Sequence, residues 1–345
     1  MSYLNETKTS LPLGPPPKNR YTSTMNDTAK HPLTLQEKVP ETLGKTRLDR
    51  AMAILFPTYS RSLHKQWILA GEVQVNDTII TKPRHSVVAH QTIKINAVIE
   101  TQTRWEAEPI ALDVVFEDDQ LLVINKPSGL VTHPGAGNPN NTLVNAILHH
   151  HQQAEALPRG GIIHRLDKDT SGLLVAAKTR ESHFALTQAM QKREIQREYE
   201  AVVEGTLIAG NTIEAPIGRH PVHRIKMAVV NNGKPAVTHY RVIARYQSHT
   251  HVKVTLETGR THQIRVHFRH INHPLVGDRT YNPRRNTPAN INDELKHTLQ
   301  QFQRQALHAR RLSLQHPTTK EPMTWQAPLP SDFQALIAAL KSNDT

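Results

Sequence analysis

The chain has 345 residues, which is enough for more than one folded domain. Its 42 lysines and arginines outnumber its 30 aspartates and glutamates, giving a net charge of +12. This excess favours a polyanionic partner, either nucleic acid or an anionic membrane surface. No run approaches the roughly 18 apolar residues of a membrane-spanning helix, and the absence of cysteine excludes disulfides and thiolate sites. We therefore expect a cytoplasmic protein that binds nucleic acid and does not bind a membrane.

The first 106 residues are predicted to divide into a tail and a small domain. Residues 1–45 are rich in Pro, Thr, Lys and Asn without a sustained apolar period, which predicts a disordered tail. Residues 46–106 contain the patterns of two short helices and a hairpin. The second helix is expected to begin at Ser60 and end at Gly71. Its inward face is predicted to carry Leu63, Trp67 and Ala70, and a basic face to carry Arg61, His64 and Lys65.

Residues 107–345 are predicted to form a larger α+β domain. Short apolar strands alternate with helices of varied length, so we expect a mixed, mostly antiparallel sheet rather than a regular parallel one. Residues 282–296 are predicted to form a polar loop before the last helices. The predicted strands include Leu121–Ile124, Leu173–Ala176, Glu198–Val203 and Val252–Leu256.

The stretch Gly160–Thr179 has a charged cluster between a glycine-rich lead and an apolar strand. This pattern predicts a loop held by flanking structure, which is a typical place for a functional site. In an extended loop, Arg165 and Asp167 project to the same side, and the cation favours an ionised carboxylate. A solvated surface ion pair explains the spacing equally well. The Arg-Leu-Asp triplet recurs at Arg47–Asp49, where an amphipathic helix favours a structural role.

A second stretch, Leu256–Asp278, contains the end of a strand and then a helix. Guanidinium groups on this helix suit phosphates or a carboxylate, although a solvated basic face is the better explanation of the spacing alone. Tyr199, on a predicted strand, is either a core aromatic or a surface on which a base stacks. The helix is predicted to bury Ile264, Phe268 and Ile271 and to present Arg265 and Arg269 on another face.

Histidines cluster twice in the sequence, at positions 149–151 and at 267, 270 and 273. Neither spacing matches a metal-binding pattern, because consecutive residues diverge on any element and no thiolate completes a site. The sequence also lacks a glycine-rich phosphate-binding loop. We therefore expect neither a metal nor an organic cofactor.

Taken together, five segments resemble the RluA-type family of pseudouridine synthases, most closely its group of large-subunit ribosomal RNA enzymes. They occur in the order that the family shows. Residues 46 to about 100 also resemble an S4 domain, a small RNA-binding module that is common in this family. The five segments are Ile124–Leu130, His164–Gly172, Arg197–Ala201, Gly259–His267 and His273–Asp278.

The resemblance implies an α+β catalytic domain with an active cleft across the middle of its sheet. It places the catalytic aspartate at Asp167 rather than at Asp169, and the base-stacking tyrosine at Tyr199. The arginine that pairs with the aspartate is then Arg265. Arg165 matches the residue that helps to displace or replace the flipped uridine in the RNA stack. No metal or organic cofactor is implied.

The reaction of this family breaks the bond between uracil N1 and ribose C1′, rotates the base and rejoins it through C5. The base must therefore leave the RNA stack and remain held throughout. An ionised Asp167 would act as a nucleophile at the sugar or the base, or as the base that removes a ribose proton. Both routes agree with the sequence.

The resemblance favours 23S ribosomal RNA, free or in an assembling large subunit, as the partner of a monomeric enzyme. Two alternatives keep RNA binding: a synthase that acts on transfer RNA or another ribosomal site, and a non-catalytic protein that escorts ribosomal RNA during assembly. A carboxylate-based glycosidase would need two cooperating acids, such as Asp167 and Asp169. The basic composition argues against a neutral sugar substrate.

Overall fold

The computed structural model describes residues 30–57, 59, 61–100, 105–135, 137–223, 225–283 and 291–344. These residues form two compact units, with the boundary between residues 104 and 105. Within the described ranges, no helix combines the length and the apolar character needed to cross a bilayer.

The first unit is a small sheet with two helices. Its antiparallel four-stranded sheet has the order β1-β6-β3-β4, and β2 pairs with β5 in a separate short ladder. The predicted hairpin is β3-β4, which turns through Asn76 and Asp77, both with positive φ. The elements are β1 (Lys30–Lys38), β2 (Thr46–Arg47), α1 (Leu48–Leu55), α2 (Arg61–Ala70), β3 (Val73–Val75), β4 (Thr78–Ile79), β5 (Ser86–Val87) and β6 (Thr92–Glu100).

The prediction of a disordered tail is wrong for residues 30–45. Residues 30–38 form β1, which pairs with β6 along its whole length. Leu33 and Leu35 pack against the core of the unit at the two-residue spacing of a strand. The apolar alternation in β1 is short and has polar neighbours, so the local pattern does not indicate a strand. The strand that pairs with β1, β6, lies about 60 residues further along the chain. Residues 1–29 lie outside the described residues.

His64 was predicted on the basic face of α2, but its side chain is buried. It lies against the rings of Phe56, Tyr59 and Trp67, at centroid distances of 6.5, 6.5 and 5.6 Å. The buried face of α2 runs through positions 64, 67 and 68, so it is rotated relative to the predicted face. His64 therefore belongs to the core of the first unit and not to an RNA-binding surface.

Arg61 and Lys65 are exposed on α2, as the pattern predicts. Arg61 donates a hydrogen bond of 2.8 Å to Asp49, which also pairs with Arg47 at 2.9 Å. The Asp49 side chain is 7% exposed. Its carboxylate thus ties the start of α1 to the start of α2, which confirms the structural role predicted for the first Arg-Leu-Asp triplet.

We predict that His64 makes the stability of the first unit depend on pH. Neither ring nitrogen has a hydrogen-bond partner, and burial lowers the pKa of His64 below its ordinary value of 6.5. As the pH falls below that value, the unfolded chain gains a proton that the folded unit does not, so stability is lost. Amide hydrogen exchange of α2 at about pH 7.5 and about pH 5.5 measures the loss.

His64→Leu should reduce this dependence on pH, because leucine has no proton to gain. The exposed His90 provides the matched control, and His90→Leu should behave as the wild type does. An unchanged pH dependence in His64→Leu would contradict the prediction.

The second unit is built on a nine-stranded sheet with helices packed around it. Its strands are β7 (Val114–Glu117), β8 (Leu121–Lys126), β9 (Ser171–Ala177), β10 (Gln196–Glu204), β11 (Asn211–Glu214), β12 (Ile217–Arg219), β13 (Met227–Val229), β14 (Val237–Arg245), β15 (His249–Leu256), β16 (Leu307–Gln315) and β17 (Pro322–Gln326). Its helices are α3 (Leu143–His150), α4 (Arg180–Gln191), α5 (Gln263–His270), α6 (Asp293–Gln301) and α7 (Ser331–Asn343).

The nine-stranded sheet has the order β11-β14-β15-β10-β16-β9-β8-β7, with β17 also paired to β16. The pair β16-β9 is parallel and the other pairs in this sheet are antiparallel. The predicted mixed, mostly antiparallel sheet is therefore confirmed, and all four predicted strands lie in it. β12 and β13 form a separate hairpin.

The predicted polar loop at 282–296 is shorter than expected, because α6 begins at Asp293. Asn292 caps this helix by accepting a hydrogen bond of 2.8 Å from the backbone N–H of Leu295. The two acidic residues of the first turn, Asp293 and Glu294, also favour a helix start. Residues 284–290 of the predicted loop lie outside the described residues.

Candidate functional site

Asp167 lies in the loop that precedes β9, where the sequence predicted a site. All seven residues of β9 are buried, so the strand anchors the end of this loop in the core. The anchor depends on Gly172, which has a φ of 111° and pairs with Ala309 of β16. A Cβ atom at this position would lie 2.3 Å from the carbonyl oxygen of Ala309, so glycine is required there.

The backbone on both sides of Asp167 is fixed by Lys126, the last residue of β8, and by Thr132 in the segment that follows it. The Lys126 ammonium donates to the carbonyl oxygens of Pro127, Leu130 and Lys168 at 2.8, 2.9 and 3.0 Å. This ammonium is fully buried, and burial lowers the pKa of Lys126 to about 7. The loop is therefore tied directly to the end of β8, the strand next to β9.

Thr132 provides a second tie, because its hydroxyl donates a hydrogen bond of 2.7 Å to the carbonyl oxygen of Leu166. The Leu166 side chain is buried in the core. Residues on either side of Asp167 are thus held in place, which positions its carboxylate without using the carboxylate oxygens themselves.

Arg265 of α5 lies between two carboxylates. Its Nη1 donates to Asp167 at 3.0 Å, and its Nε and Nη2 donate to Asp278 at 2.7 and 2.9 Å. Arg265 is 6% exposed and Asp278 is fully buried, so this is not the solvated basic face that the spacing alone favoured. Burial by itself lowers the pKa of Arg265, but the paired carboxylates more than offset it and raise the pKa.

The rest of α5 follows the sequence pattern except at Ile271, which lies just beyond the helix and is only half-buried. Ile264 and Phe268 are buried, and Arg269 is exposed. Arg265 shares the face of Arg269 but differs in burial, because the loop that carries Asp278 covers the first turn of the helix and leaves the last turn open. The difference thus comes from tertiary contacts and not from helical spacing.

Tyr199 lies in the middle of β10, opposite Val254 on one neighbouring strand and Ala309 on the other. It is 5% exposed, and burial raises the pKa of its hydroxyl. The charge of Arg197 opposes this pKa shift and the negative charge of Asp167 adds to it, so the carboxylate is near enough to act on the Tyr199 hydroxyl. The structure therefore brings Asp167, Tyr199 and Arg265 together.

Arg165 is exposed and makes no ion pair with Asp167 within the described chain. The surface ion pair that would also explain this spacing is therefore not formed, although the two side chains flank a buried Leu166, as the predicted alternation requires. Leu166 turns into the core between them, and the cation that contacts the carboxylate comes from α5 instead.

Comparisons with known proteins match both units. The RNA pseudouridylate synthase family model matches residues 120–270, and the S4 domain model matches residues 46–93. The ribosomal large subunit pseudouridine synthase D of Haemophilus influenzae is 52% identical over 90% of this chain and 96% of its own length. The enzymes of the same name from Yersinia pestis and Vibrio parahaemolyticus are 51% and 48% identical over 90% of this chain and 95% and 96% of their own lengths.

The chain belongs to the pseudouridine synthase family. Solved structures agree with the sequence relatives. Human RNA pseudouridylate synthase domain containing 4 is 25% identical and superposes with a TM-score of 0.52 over 66% of this chain and 92% of its own length. Human RNA pseudouridylate synthase domain containing 1 gives 25% identity and a TM-score of 0.51 over 68% and 89%. The fold predicted for this pseudouridine synthase, an S4 domain followed by an α+β synthase domain, is confirmed.

Three residues of the site had no role in the sequence prediction: His262, Asp278 and Tyr281. The first two lie inside segments that resemble the family, but the pattern alone gave no reason to separate them from their neighbours. Tyr281 lies just beyond those segments and its ring faces the Arg265 guanidinium, 5.0 Å from the centroid. The burial of Asp278 and the contact of Tyr281 with Arg265 arise only in the folded chain, so no local sequence signal identifies these residues.

The histidines that cluster in the sequence have separate roles. His267 is fully buried and contacts the Thr238 hydroxyl at 2.9 Å and the Ala215 carbonyl oxygen at 3.0 Å. His273 contacts the carbonyl oxygen of Glu204 at 2.8 Å, and His270 is exposed at the end of α5. The absence of a metal cofactor remains a prediction.

We predict that removing one partner of the buried Arg265–Asp278 pair destabilises the second unit. Arg265→Met leaves the fully buried Asp278 carboxylate without its two guanidinium donors, which costs about 3 to 5 kcal/mol in comparable pairs. Chemical denaturation of the full chain, followed by amide hydrogen exchange of α5 and β9, measures the loss.

The double variant Arg265→Met, Asp278→Leu removes both charges and should recover most of that stability while activity stays low. Equal stability of the single variant and the wild type would show that the pair does not hold the site together.

Proposed function

We propose that this pseudouridine synthase isomerises uridines in 23S ribosomal RNA, with Asp167 as the catalytic carboxylate. The observation that carries the proposal is the hydrogen bond between Asp167 and the buried Arg265, with Tyr199 near the same carboxylate. All three residues lie in the region that the synthase family model matches. The name of the relatives, ribosomal large subunit pseudouridine synthase D, supports the large-subunit substrate.

The site has the properties that the isomerisation needs. The glycosidic bond from N1 to C1′ breaks, a bond from C5 to C1′ forms, C5 loses a proton and N1 gains one. A carboxylate accomplishes the first step either by attack as a nucleophile or by removal of a ribose proton. Both routes require an oriented carboxylate, and the hydrogen bond from Arg265 fixes the orientation of the Asp167 carboxyl group.

The flipped base would be held by Tyr199 while its glycosidic bond is broken. An aromatic ring stacks on uracil at about 1 to 3 kcal/mol for each base, and the fixed position of Tyr199 in β10 gives the ring a defined orientation. Arg165 is exposed beside the catalytic loop, where it would replace the extruded uridine in the RNA stack.

The S4 unit would hold the RNA by its phosphates. Arg61 and Lys65 are exposed one helical turn apart on α2, and they remain the candidate contacts after His64 is excluded. Phosphate contacts of this type fix the position of the RNA without reading its sequence. We propose a monomer that acts in the cytoplasm on 23S ribosomal RNA, either free or in an assembling large subunit.

We predict that Asp167→Asn abolishes pseudouridine formation, because an amide cannot act as nucleophile or base. The matched control is Asp169→Asn, which changes the neighbouring acid and should retain activity. In a strain that lacks this gene, mapping of pseudouridines across 23S ribosomal RNA with each variant reintroduced measures both.

Sites that are lost on deletion and restored by the wild type and Asp169→Asn, but not by Asp167→Asn, establish substrate and residue together. If Asp167→Asn restores the pseudouridines, Asp167 is not the catalytic residue, and a non-catalytic RNA-binding role is favoured. An unchanged 23S map with sites lost in transfer RNA would move the substrate to transfer RNA.

We also predict that Tyr199→Phe keeps most of the activity, because phenylalanine retains the ring that stacks on uracil. Tyr199→Ala should reduce single-turnover rates by about 10- to 100-fold, in line with about 1 to 3 kcal/mol of stacking. Rates on a stem-loop substrate measure both variants. A complete loss of activity in Tyr199→Phe would instead assign the role to the hydroxyl group.

A further inference from the structure

His262 occupies an unusual place at the start of α5. It is the N-cap residue of the helix and has a left-handed backbone, with φ 57° and ψ 23°. A non-glycine residue adopts this conformation at a cost of about 1 kcal/mol or more, and functional sites are where such residues cluster. The backbone thus presents the His262 ring towards the site in a conformation that an ordinary helix start does not use.

The turn that carries His262 is held by the next residue, Gln263. Its side-chain oxygen accepts hydrogen bonds from the Thr258 hydroxyl at 2.8 Å and from the Arg260 backbone N–H at 2.9 Å. Its amide nitrogen donates to the Val237 carbonyl oxygen at 2.9 Å. The backbone that carries the His262 ring is therefore held by hydrogen bonds within the protein.

The Tyr281 hydroxyl determines which ring nitrogen of His262 carries the proton. This hydroxyl accepts a hydrogen bond of 3.0 Å from the Met227 backbone N–H, and it lies 2.7 Å from Nδ1 of His262. Within the described residues the hydroxyl proton has no other acceptor, and a lone pair on Nε2 would face the Asp167 carboxylate, so we assign the hydroxyl as the donor and Nδ1 as the acceptor. Burial lowers the pKa of His262, so the ring is neutral and its single proton is on Nε2.

The Nε2–H group faces the catalytic carboxylate without bonding to it. Nε2 lies 3.8 Å from Oδ1 of Asp167, which is beyond hydrogen-bond distance, and the His262 side chain is 21% exposed. No acceptor within the described part of the chain lies within reach of this N–H. The site thus contains a fixed, neutral donor beside Asp167 that a bound molecule can use.

We propose that His262 is a further catalytic residue, whose Nε2–H group donates a hydrogen bond to a carbonyl oxygen of the target uracil. This inference rests on the proposed function. As the bond from N1 to C1′ breaks, its electron pair passes to uracil and negative charge develops on the carbonyl oxygens. A donor that is already oriented stabilises that charge without reorganisation.

The neutral tautomer suits this role better than a charged group would. An arginine or lysine beside Asp167 would form an ion pair with it, as Arg265 does on the other carboxylate oxygen. The neutral His262 ring is held by Tyr281 instead, so its donor stays available for the substrate. Tyr281 is then a positioning residue, since it acts through His262.

The test is a double-mutant cycle in which one change is made in the enzyme and the other in the substrate. Single-turnover rates are measured for wild type and His262→Ala on a 23S stem-loop whose target is uridine, 2-thiouridine or 4-thiouridine. Sulfur is a weaker acceptor than oxygen, so one of the two thio substrates should slow the wild type. His262→Ala should be about 10²-fold slower on uridine, with unchanged RNA affinity, and should show little further loss on that thio substrate.

Two further variants guard against misfolding. His262→Gln keeps an N–H donor of similar reach and should recover part of the rate, whereas His270→Ala changes an exposed histidine of the same helix and should match the wild type. Tyr281→Phe should lower the rate several-fold. In ¹⁵N NMR spectra of the imidazole nitrogens, it should also convert a single Nε2–H tautomer of His262 into a mixture.

Equal thio effects in wild type and His262→Ala on both substrates would overturn the inference, since His262 would then make no contact with uracil. A wild type with Nδ1–H in the NMR spectra would overturn the tautomer on which it depends. If the wild-type enzyme forms no pseudouridine in this stem-loop, and none when its gene is returned to the deletion strain, the proposed function itself is wrong. That result differs from the two results above, in which the wild type is active but His262 does not contact uracil or has the other tautomer.

Discussion

Arg265 is a buried cation with a carboxylate on each side, and the geometry of the site depends on it. Three of its nitrogens donate to two aspartates that come from different loops. Two carboxylates close together would repel each other, and a lone buried guanidinium would be costly. The charges of Arg265, Asp167 and Asp278 are paired only when three elements are in place: α5, the loop that carries Asp167 and the segment after α5. Arg265 therefore couples the position of Asp167 to the packing of the surrounding elements.

The two aspartates are not equivalent, although the same guanidinium contacts both. Asp278 is fully buried, and its Oδ1 also accepts hydrogen bonds from the backbone N–H groups of Thr280 and Tyr281 at 2.9 and 3.1 Å. Asp167 is 16% exposed and keeps one oxygen free of Arg265. Asp278 thus holds the arginine, and the arginine holds the carboxylate that remains accessible to substrate. The two aspartates therefore differ in role because they differ in burial: the buried Asp278 is structural, and the partly exposed Asp167 is available for chemistry.

The sequence predicted the class of fold and the loop that carries Asp167, because both depend on local patterns. Apolar strand segments and the glycine-framed charged cluster are visible in any window of about ten residues. The pairing of Arg265 with Asp167 came only from the resemblance to a family, since helical spacing placed Arg265 beside the exposed Arg269. Arg265 is buried by the loop that carries Asp278, and this loop lies next to Arg265 only in the folded chain.

The errors in the first unit have related causes. His64 was assigned to the wrong face of α2 because a small rotation of a short helix buries His64 and exposes Ala70, while Trp67 is buried in either arrangement. β1 was missed because a strand with a polar outer face is defined by its partner, β6, which lies on the far side of both helices in the sequence. Tyr281 and His262 had no local signal, since their roles arise from a hydroxyl and a ring nitrogen that meet across the fold.

The place of β16 in the sheet has a consequence for how the enzyme is made. β16 lies between β10 and β9, but in the described chain five strands, β11–β15, separate it from β10 in sequence. During synthesis β9 and β10 therefore emerge with a missing neighbour, and contacts of such long sequence separation form late. Gly172 reaches its position against Ala309 only when β16 inserts. Until β16 is synthesised, a nascent chain that already contains Asp167, Tyr199 and Arg265 lacks the strand that joins β9, which follows the Asp167 loop, to β10, which carries Tyr199.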